Sequence, residues 1–461
     1  MKHLSLVLVS LAIAAAQLLA QTGALKPNIV LIFCDDLGYA DLGSYGHPSI
    51  RTPHLDRMAA AGQRWTSFYV AASVCTPSRA GLLTGRYPIR SGMCSNKNRV
   101  LFPNSTGGLP DGEITLAEQM KQAGYYTAMV GKWHLGHLPE YLPTRQGFDY
   151  YYGIPYSNDM DFVGGKPYWE FADSIPYQYY NVPLLENETV VERPVDQNTI
   201  TRRYSQKVAD LIKAPKDQPF FIYLAHSMTH IPLFASEDFR GKSRRGLYGD
   251  ATEEIDGGIG LILQTLEEQG LSENTLVIFT SDNGPWLPFR THGGSAGLLR
   301  DGKGTTWEGG MRVPAIFYWK GQIAPEIVMD MGSTLDIFPT LSALTGLSLP
   351  DDRVYDGYDL SATLLQKETS PRDHLIYYRG QKIYAMRWGP YKAHFSTQTA
   401  YQNENLYQEH NPPLLFNLEQ DPGESYDIAA RHPEVLEQIL RLRRQHEATV
   451  APVKDMLAER K

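Results

Sequence analysis

The chain has 461 residues, which is enough for one large or two moderate domains around a sizeable core. Its 43 basic and 51 acidic residues leave a formal net charge of −8. That charge argues against a general nucleic-acid-binding protein, because such proteins need a basic surface. A polyanionic ligand would therefore require a local basic pocket.

The first twenty residues have the pattern of a secretory signal peptide. Lys2 and His3 precede an apolar run over residues 4–19, and small residues follow it. The run is short for a bilayer-spanning helix, which disfavours an N-terminal anchor, and no other segment approaches ~20 uninterrupted apolar residues. We therefore expect cleavage after Ala20, no stable membrane insertion, and an exported protein of the periplasm or the extracellular space.

Strands and helices alternate over the first 280 residues. The predicted strands lie at residues 28–33, 64–70, 125–131, 219–226 and 275–280. The predicted helices lie at residues 53–62, 115–123, 205–213 and 250–269. Thr52 is expected to cap the first of them, and Thr115 with Glu118 forms a capping box for the second. The alternation predicts an α/β fold with a large mixed, mostly parallel sheet flanked by helices.

Two regions depart from this alternation. Residues 150–196 are rich in Tyr, Pro and Asn without a sustained period, and we interpret them as an irregular insertion near the site. From about residue 350, short antiparallel strands are predicted at residues 375–378, 382–387 and 392–394, with a helix at 433–448. The predicted organisation is a signal peptide (1–20), a main α/β domain (25–349) and a smaller C-terminal α+β subdomain (350–461).

Acidic and amide side chains follow two of the apolar strands. Asp35 and Asp36 come directly after the first strand, and Asp282 and Asn283 follow the strand at 275–280. The carboxyl ends of strands are where open α/β sheets bind ligands. Oxygen donors suit Ca²⁺ or Mg²⁺, and the carboxamide favours Ca²⁺ somewhat. A shared cation site is therefore predicted, although each pair alone could be a cap or a turn.

Cys75 stands at the predicted start of another helix. Pro77 suits the first turn of a helix, whose free N–H groups and positive dipole end favour an anion. Arg79 adds a planar guanidinium matched to a tetrahedral oxyanion. Taken alone, such a cysteine is more often a buried structural residue. Cys34 and Cys94 are the other cysteines, and an odd number in an exported protein leaves at least one thiol unpaired.

Several basic side chains also follow strands or lie in a glycine-rich loop. Lys132 and His134 would point the same way if their segment is extended. His230, in Thr-His-Ile-Pro, and His226 are rival candidates after the next strand. Lys303 lies in an Asp-Gly-Lys-Gly-Thr-Thr loop, where an ammonium and backbone N–H groups can approach an anion. Each of these residues has a plain structural alternative when it is taken alone.

Together these motifs resemble the type I sulfatases of the alkaline-phosphatase superfamily, closest to the arylsulfatase A and N-acetylgalactosamine-6-sulfatase branch. The most specific match is the Cys-x-Pro-x-Arg motif from Cys75 to Arg79, with the trailing Leu-Thr-Gly-Arg that ends at Arg86. The other matching blocks are residues 27–30, 35–39, 131–136, 229–232, 281–284 and 302–310. The resemblance covers nearly the whole mature chain, and it implies a catalytic domain at 25–349 that hydrolyses sulfate esters.

The resemblance also implies how the nucleophile and the metal are supplied. Cys75 would be oxidised to formylglycine by a formylglycine-generating maturation enzyme, and the hydrate of that aldehyde would be the nucleophile. One Ca²⁺ per chain would be bound by an oxygen on the modified Cys75 and by four further side chains, Asp35, Asp36, Asp282 and Asn283. The conversion would also remove the odd cysteine.

The remaining catalytic roles are likewise implied by the resemblance. Arg79 and Lys132 would hold and activate the hydrate, and His134 would act on its second hydroxyl when the enzyme is regenerated. His230 and Lys303 would contact the sulfate, with His230 as the proton donor to the leaving alcohol. The family has its catalytic histidine in the Thr-His-x-Pro position, which favours this residue over the rival four residues earlier.

The predicted substrate is a sulfated glycan or its oligosaccharides, or an aryl sulfate. The aromatic stretch at 150–169 could supply platforms for sugar rings, or could simply pack the insertion. Arg290, His292 and Asp301 flank the lysine loop and are candidates for choosing the sugar. Two other functions stay open. One is a formylglycine-dependent phosphodiesterase or phosphonate monoester hydrolase, and the other is a non-catalytic sulfated-glycan binding protein with an unmodified Cys75.

Overall fold

The computed structural model describes residues 26–164, 175–400 and 406–461. The signal peptide predicted for residues 1–20 lies outside the described residues, as does part of the aromatic stretch at 150–169. Within the described ranges, no helix combines the length and the apolar character needed to cross a membrane.

Helices and strands alternate along the chain, as the sequence predicts. The strands are β1 (Asn28–Cys34), β2 (Gln63–Tyr69), β3 (Tyr126–Gly131), β4 (Tyr150–Gly153), β5 (Leu184–Glu186), β6 (Thr189–Glu192), β7 (Phe220–Ala225), β8 (Thr275–Ser281), β9 (Arg312–Tyr318), β10 (Glu326–Ser333), β11 (His374–Arg379), β12 (Lys382–Trp388), β13 (Tyr391–Thr397) and β14 (Gln408–Asn417). The α-helices are α1 (Pro53–Ala61), α2 (Cys75–Thr84), α3 (Pro88–Ser91), α4 (Leu116–Gln122), α5 (Ile200–Lys213), α6 (Leu247–Glu268), α7 (Glu308–Met311), α8 (Ile337–Leu344), α9 (Ser361–Gln366) and α10 (Pro433–Glu447).

A large mixed sheet forms the centre of the molecule, with the strand order β10-β2-β9-β8-β1-β7-β3-β4-β5-β6. Its middle, from β8 to β4, is parallel, whereas β9 runs antiparallel to both β8 and β2. The predicted α/β fold class is therefore confirmed. Because β8, β1, β7 and β3 are parallel, their carboxyl ends meet at one edge of the sheet, where ligands bind in such folds.

The central strand β1 is packed from both faces of the sheet. Ile29, Leu31 and Phe33 join the apolar cluster on one face, whereas Val30 and Ile32 join the cluster on the other. This division follows from the alternation of side chains along a strand. Helices α2, α4 and α8 cover the first face, and α1, α5 and α6 cover the second. The residues that follow β1 are thus held on a rigid support.

A second, antiparallel sheet has the order β11-β12-β13-β14 and packs against α10. A buried charged cluster joins this sheet to the main domain. Lys392 of β13 lies 3.0 Å from Glu308 and 2.9 Å from Glu424, and His394 Nε2 lies 2.7 Å from Glu424. All four side chains are fully buried. Because an unpaired buried charge is costly, each part of the molecule stabilises charges of the other.

The sequence-based interpretation of residues 150–196 as irregular is wrong in part. β4 pairs in parallel with β3, and β5 and β6 continue the sheet in antiparallel pairs. These strands have three or four residues, which is too short for a period to show.

Strands β9, β10 and β14 were also missed, as were helices α3, α7, α8 and α9. No strand was predicted at β9 or β10, and β14 contains Pro412 and Pro413, which argue against a strand. β14 is tolerated because it is the edge strand of its sheet. α5 begins at Ile200 rather than at residue 205.

Candidate active site

The ends of four central strands, helix α2 and the loop before α7 bring the predicted site residues to one edge of the sheet. Every one of these side chains is buried, namely Asp35, Asp36, Cys75, Arg79, Lys132, His134, His230, Asp282, Asn283 and Lys303. Burying so many ionisable groups is unfavourable unless they pair with one another or with a bound ion. Their mutual contacts therefore show what the site can hold.

Cys75 is the first residue of α2 and is only 2% exposed. Its Sγ lies 3.5 Å from Asp35 Oδ1 and 3.4 Å from Lys303 Nζ. Pro77 is the third helical residue, where its missing N–H is one of the groups that the first turn leaves unpaired. Burial and the charge of Asp35 raise the pKa of the Cys75 thiol, although the nearby lysines oppose them. The unmodified side chain is thus a neutral thiol between a carboxylate and an ammonium.

Potential metal ligands surround one small space. Ligand atoms of Asp35, Asp36, Cys75 and His230 all lie within 4.8 Å of one another. Asn283 Nδ2 donates to Asp36 Oδ1 over 2.7 Å. Among the described residues, Asn283 Oδ1 is buried and accepts no hydrogen bond. An unsatisfied amide oxygen beside two carboxylates fits a hard cation such as Ca²⁺ or Mg²⁺.

Asp282 links this space to Arg79. Arg79 Nη2 lies 2.8 Å from Asp282 Oδ2 and 3.4 Å from Asp35 Oδ2. The backbone N–H of Asp36 donates to Asp282 Oδ1 over 3.1 Å. Burial raises the pKa of Asp36 and of Asp282, and the negative charge of Asp35 adds to the effect. Burial also disfavours ionisation of Asp35, but Lys132 and other nearby cations hold the pKa of Asp35 well below its ordinary value.

Lys132 contacts a serine that the sequence analysis missed. Its Nζ forms an ion pair with Asp35 and donates to Ser157 Oγ over 3.0 Å. Ser157 is buried in the segment after β4. A single serine has no motif of its own. Only the pairing of β4 with β3, which brings this segment beside Lys132, could have identified it.

His134 is held in one orientation by a neighbouring loop. Its Nε2 lies 2.9 Å from the carbonyl oxygen of Leu101, and its Nδ1 is buried with no partner among the described residues. Thr76 Oγ1 donates to the His134 carbonyl over 3.0 Å and accepts from the Leu101 N–H over 3.1 Å. Burial and the charge of Lys132 hold the pKa of His134 well below its ordinary value. A neutral imidazole with Nε2–H bonded to Leu101 leaves Nδ1 as a base.

His230 rather than His226 lies beside the acidic cluster. His230 Nε2 is 3.8 Å from Asp36 Oδ2, and its Nδ1 is 2.5 Å from the carbonyl oxygen of Ile231. Burial and the charge of Lys303 lower the pKa of His230. His226 packs against the ring of Tyr204, and burial lowers its pKa to about 3.

Two aromatic side chains that the sequence analysis missed lie next to these groups. The Trp286 ring centroid is 4.4 Å from Lys303 Nζ and 5.3 Å from the His230 ring centroid. Trp286 and Phe289 pack edge to face with their centroids 4.6 Å apart, and both are half-buried. Trp286 directly precedes a short 3-10 helix (Leu287–His292) that contains Phe289, and a helix this short shows no periodicity that could mark either residue.

The residues predicted to choose the sugar lie in the same two loops. Arg290 is exposed and has a φ of 51°, whereas His292 is buried. Asp301 Oδ1 accepts a hydrogen bond from the Gly302 N–H over 2.8 Å, within its own turn. Their involvement in substrate choice stays a prediction.

The chain matches two family models and many known proteins. The model described as sulfatase matches residues 27–347, and the model described as the C-terminal region of aryl-sulfatase matches residues 370–461. Human arylsulfatase A is 44% identical over 459 residues, which span 94% of this chain and 89% of that protein. The N-acetylgalactosamine-6-sulfatase of Canis lupus familiaris is 40% identical over 481 residues, which span 96% of this chain and 90% of that protein.

Solved structures lead to the same family. The crystal structure of the PsFucS1 sulfatase from Pseudoalteromonas sp. matches with a TM-score of 0.83 at 29% identity, covering 96% of this chain and 95% of that chain. The family generally uses formylglycine and a metal ion, which agrees with the buried cysteine and the potential metal ligands around it. The chain therefore belongs to the sulfatase family, whose members hydrolyse sulfate esters.

Proposed function

We propose that this chain is an exported sulfatase that acts on a sulfated glycan or its fragments, with formylglycine at position 75 as the nucleophile. One observation carries the proposal, namely that Cys75 Sγ lies 3.5 Å from Asp35 Oδ1 and 3.4 Å from Lys303 Nζ. A group at this position adjoins both a set of ligands for a cation and an ammonium suited to a sulfate. It also lies at a helix N-terminus, which favours an anion.

The raised thiol pKa supports a modified residue, because a protonated thiol is a poor nucleophile. Formation of formylglycine is a two-electron oxidation, in which Cβ loses its sulfur as sulfide, gains an oxygen, and passes the electrons to an oxidant such as dioxygen. Since Cys75 is 2% exposed, we infer that a formylglycine-generating enzyme acts before the chain is folded. The hydrated aldehyde would supply one hydroxyl that attacks sulfur while the S–O bond to the alcohol breaks. Deprotonation of the second hydroxyl would then re-form the aldehyde and break the Cβ–O bond to the sulfate.

Calcium is the metal that the ligand set supports best. The proposed ligands are an oxygen on residue 75 and the side chains of Asp35, Asp36, Asp282 and Asn283. Asn283 Oδ1 accepts no hydrogen bond from the part of the chain that the structure describes, and burial raises the pKa of Asp36 and Asp282. Both observations are consistent with a cation that neutralises this pocket. The ion would supply positive charge that stabilises the negative charge developing during S–O cleavage.

The side chains around this pocket would have the remaining catalytic roles. Arg79 and Lys132 would orient residue 75, and Lys303 would hold the sulfate. His230 would donate a proton to the leaving oxygen, which matters most for poor leaving groups such as sugar alcohols. Lys303 disfavours the protonated form of His230, but a bound sulfate ester, as an anion, favours it. His134 Nδ1, which has no partner among the described residues, would take the proton from the second hydroxyl.

Two observations support a glycan substrate and export. One relative that matches nearly the whole chain is named for a sulfated sugar, N-acetylgalactosamine 6-sulfate. Residues 1–20 have the sequence pattern of a secretory signal peptide, which would suit a periplasmic or extracellular enzyme that meets polymeric glycans.

Mass spectrometry of the peptide that contains residue 75, combined with turnover assays, tests the proposal. Conversion of the Cys75 side chain from CH2SH to CHO lowers the mass of this peptide. We expect the lighter peptide in active, exported protein. We also expect sulfate release from a nitrophenyl sulfate and from sulfated monosaccharides, with much slower phosphate release from the matching nitrophenyl phosphate. Chelation of the metal should abolish turnover, and Ca²⁺ should restore it.

Each part of the proposal can fail separately in these assays. An intact thiol in fully active protein would refute the nucleophile. Preferential phosphate release would instead indicate the phosphodiesterase or phosphonate monoester hydrolase class. Binding of sulfated glycans without turnover of any ester would indicate a binding protein.

A further inference from the structure

We propose that Trp286 and Phe289 form a wall that receives the ring of the substrate's alcohol, so that the enzyme selects cyclic sulfate esters over acyclic ones. The inference rests on the proposed function, because it takes Lys303 and His230 as the groups that contact the sulfate and its leaving oxygen. It goes further because it specifies that the leaving alcohol is cyclic and names the side chains that contact it.

The position of the wall follows from the two side chains that Trp286 touches. Its ring centroid is 4.4 Å from Lys303 Nζ and 5.3 Å from the centroid of the His230 ring. The leaving oxygen joins the sulfur, held near Cys75, to the carbon skeleton of the alcohol. A proton donor at that oxygen must therefore lie beside the first atoms of the alcohol. The half-buried Trp286 is an aromatic surface within contact distance of that donor.

The wall is supported from behind by an apolar cluster. Trp286 and Phe289 pack against buried side chains of three other segments, namely Ile50, Ile231, Leu233 and Tyr248. The two rings also pack edge to face, with centroids 4.6 Å apart. An aromatic surface whose orientation is fixed before the substrate arrives binds a flat partner with little loss of conformational entropy.

Hydrogen bonds fasten the loop that carries the wall. Arg245 donates to the carbonyl oxygens of Thr291 over 2.7 Å and Gly293 over 2.8 Å. The backbone N–H of Lys303 donates to the Pro285 carbonyl over 2.9 Å, which ties the lysine loop to the residue next to Trp286. The sulfate-binding side chain and the wall are therefore held at a fixed spacing, as recognition of one ester geometry requires.

A ring matches this wall better than an open chain does. The C–H face of a pyranose, or an aryl ring, offers a flat apolar surface to an indole, and the ring loses few rotations on binding. A short acyclic alkyl sulfate has the same anionic head but lacks that surface. The wall should therefore contribute to binding of the cyclic ester and contribute little to binding of the acyclic one.

The test compares two esters of aliphatic alcohols, cyclohexyl sulfate and ethyl sulfate, as competitive inhibitors of nitrophenyl sulfate turnover by the full, matured enzyme. Neither ester has to be cleaved for its inhibition constant to be measured. Replacement of Trp286 by alanine (Trp286→Ala) should raise the inhibition constant of cyclohexyl sulfate about tenfold, the effect of losing one favourable aromatic contact. It should raise the inhibition constant of ethyl sulfate less than about twofold. Trp286→Phe should retain most of the preference for the ring. Trp388→Ala, in the second sheet, is the matched control and should change neither constant.

Two outcomes would overturn the inference. If Trp286→Ala raised both inhibition constants equally, the indole would only position Lys303. Unchanged constants for both esters would mean that the ring of the alcohol binds elsewhere. Either result is distinct from a failure of the proposed glycan substrate, because both esters report on the leaving-group side of the site whichever glycan is cleaved. Phe289→Leu provides a second variant, for which we expect a smaller loss confined to the cyclic ester.

Discussion

At the scale of single residues, Lys303 contacts both the acidic cluster and the proposed nucleophile. Its Nζ lies 2.6 Å from Asp36 Oδ1 and 3.4 Å from Cys75 Sγ. Its side chain is almost fully buried, so its charge acts in a low-dielectric setting where electrostatic effects are large. This lysine is thus able both to balance the carboxylates and to hold an incoming sulfate.

Replacing either Lys303 or Cys75 by alanine should abolish most activity without unfolding the protein. We expect kcat/KM for nitrophenyl sulfate to fall about a hundredfold or more, because preorganised charge and the nucleophile are removed from the reacting centre. Steady-state kinetics and thermal unfolding measure the two effects. Lys320→Ala is the control, since that lysine is half exposed and forms a long ion pair with Glu267, at 3.8 Å. Near-normal turnover in Lys303→Ala would contradict its assignment.

Ser157 should act through Lys132, to which it is bonded over 3.0 Å. Removing a hydrogen bond to a charged group costs about 1.5–3 kcal/mol, so Ser157→Ala should lower kcat about tenfold or more. Ser157→Thr keeps the hydroxyl and should recover part of the loss. A positioning role is supported if kcat falls while KM stays nearly constant. A change in KM alone would indicate instead that Ser157 contacts the substrate.

At the scale of elements, the C-terminal segment fastens the loop that orients His134. Leu457 is fully buried, and its carbonyl accepts a hydrogen bond from Asn98 Nδ2 over 2.7 Å. The Met456 N–H donates to the Gly92 carbonyl over 3.0 Å. The fastened loop includes Leu101, whose carbonyl oxygen lies 2.9 Å from His134 Nε2. Met456 and Leu457 are therefore connected to the candidate active site through one loop.

Leu457→Ala should lower the free energy of unfolding by about 2–5 kcal/mol, the usual effect of removing a buried leucine side chain. Urea unfolding measures the loss. Leu298→Ala is the control, because Leu298 is 82% exposed and should change stability by less than about 0.5 kcal/mol. If Leu457→Ala were as stable as the wild type, the C-terminal segment would not be part of the core.

Elements fixed by neighbouring residues could be predicted from the sequence. The capping box at Thr115 and Glu118 forms as expected, because both of its hydrogen bonds are local. The run 28–33 was also recognisable, because a fully buried parallel strand is apolar throughout. The two aspartates that follow this strand could be assigned to a ligand-binding site, because ligands bind at the carboxyl ends of parallel strands.

What could not be predicted depends on contacts between distant segments. In our proposals, Ser157 functions only beside Lys132, which follows β3, and Trp286 only beside Lys303, which lies in the loop before α7. β4 forms by pairing with β3, which is distant in the sequence. β14 tolerates its two prolines because it is an edge strand. The family motif Thr-His-x-Pro favours His230 over His226. Without that motif the two histidines cannot be distinguished, because both follow the same apolar strand within a few residues.

At the scale of the whole molecule, the buried cluster between the two sheets should make stability depend on pH. Burial lowers the pKa of His394 to about 4, although its hydrogen bond to Glu424 opposes this. The folded protein therefore keeps this imidazole neutral where the unfolded chain would protonate it. Its contribution to stability is complete above pH 6.5 and is lost as the pH falls from 6.5 to about 4. Glu424, Lys392 and Glu308 are the charged groups that face it.

His394→Gln should remove this part of the pH dependence. The difference in unfolding free energy between wild type and variant should shrink by up to about 3 kcal/mol between pH 7 and pH 4. Urea unfolding at several pH values measures that difference, and His432→Gln, in the same subdomain, serves as the control. If the two proteins lost stability in parallel over this range, the imidazole would not be held neutral in the fold.

The same buried cluster restricts how the chain can be recombined with its relatives. Lys392 lies in the C-terminal subdomain and pairs with Glu308, which belongs to the main domain, over 3.0 Å. A chimaera that exchanged residues 350–461 for another sulfatase's would keep Glu308 but could lose the lysine that neutralises it. Arg312 of the main domain also lies 3.6 Å from Glu308, so the exchange should lower stability, rather than abolish folding, unless the donor supplies a cation at this contact.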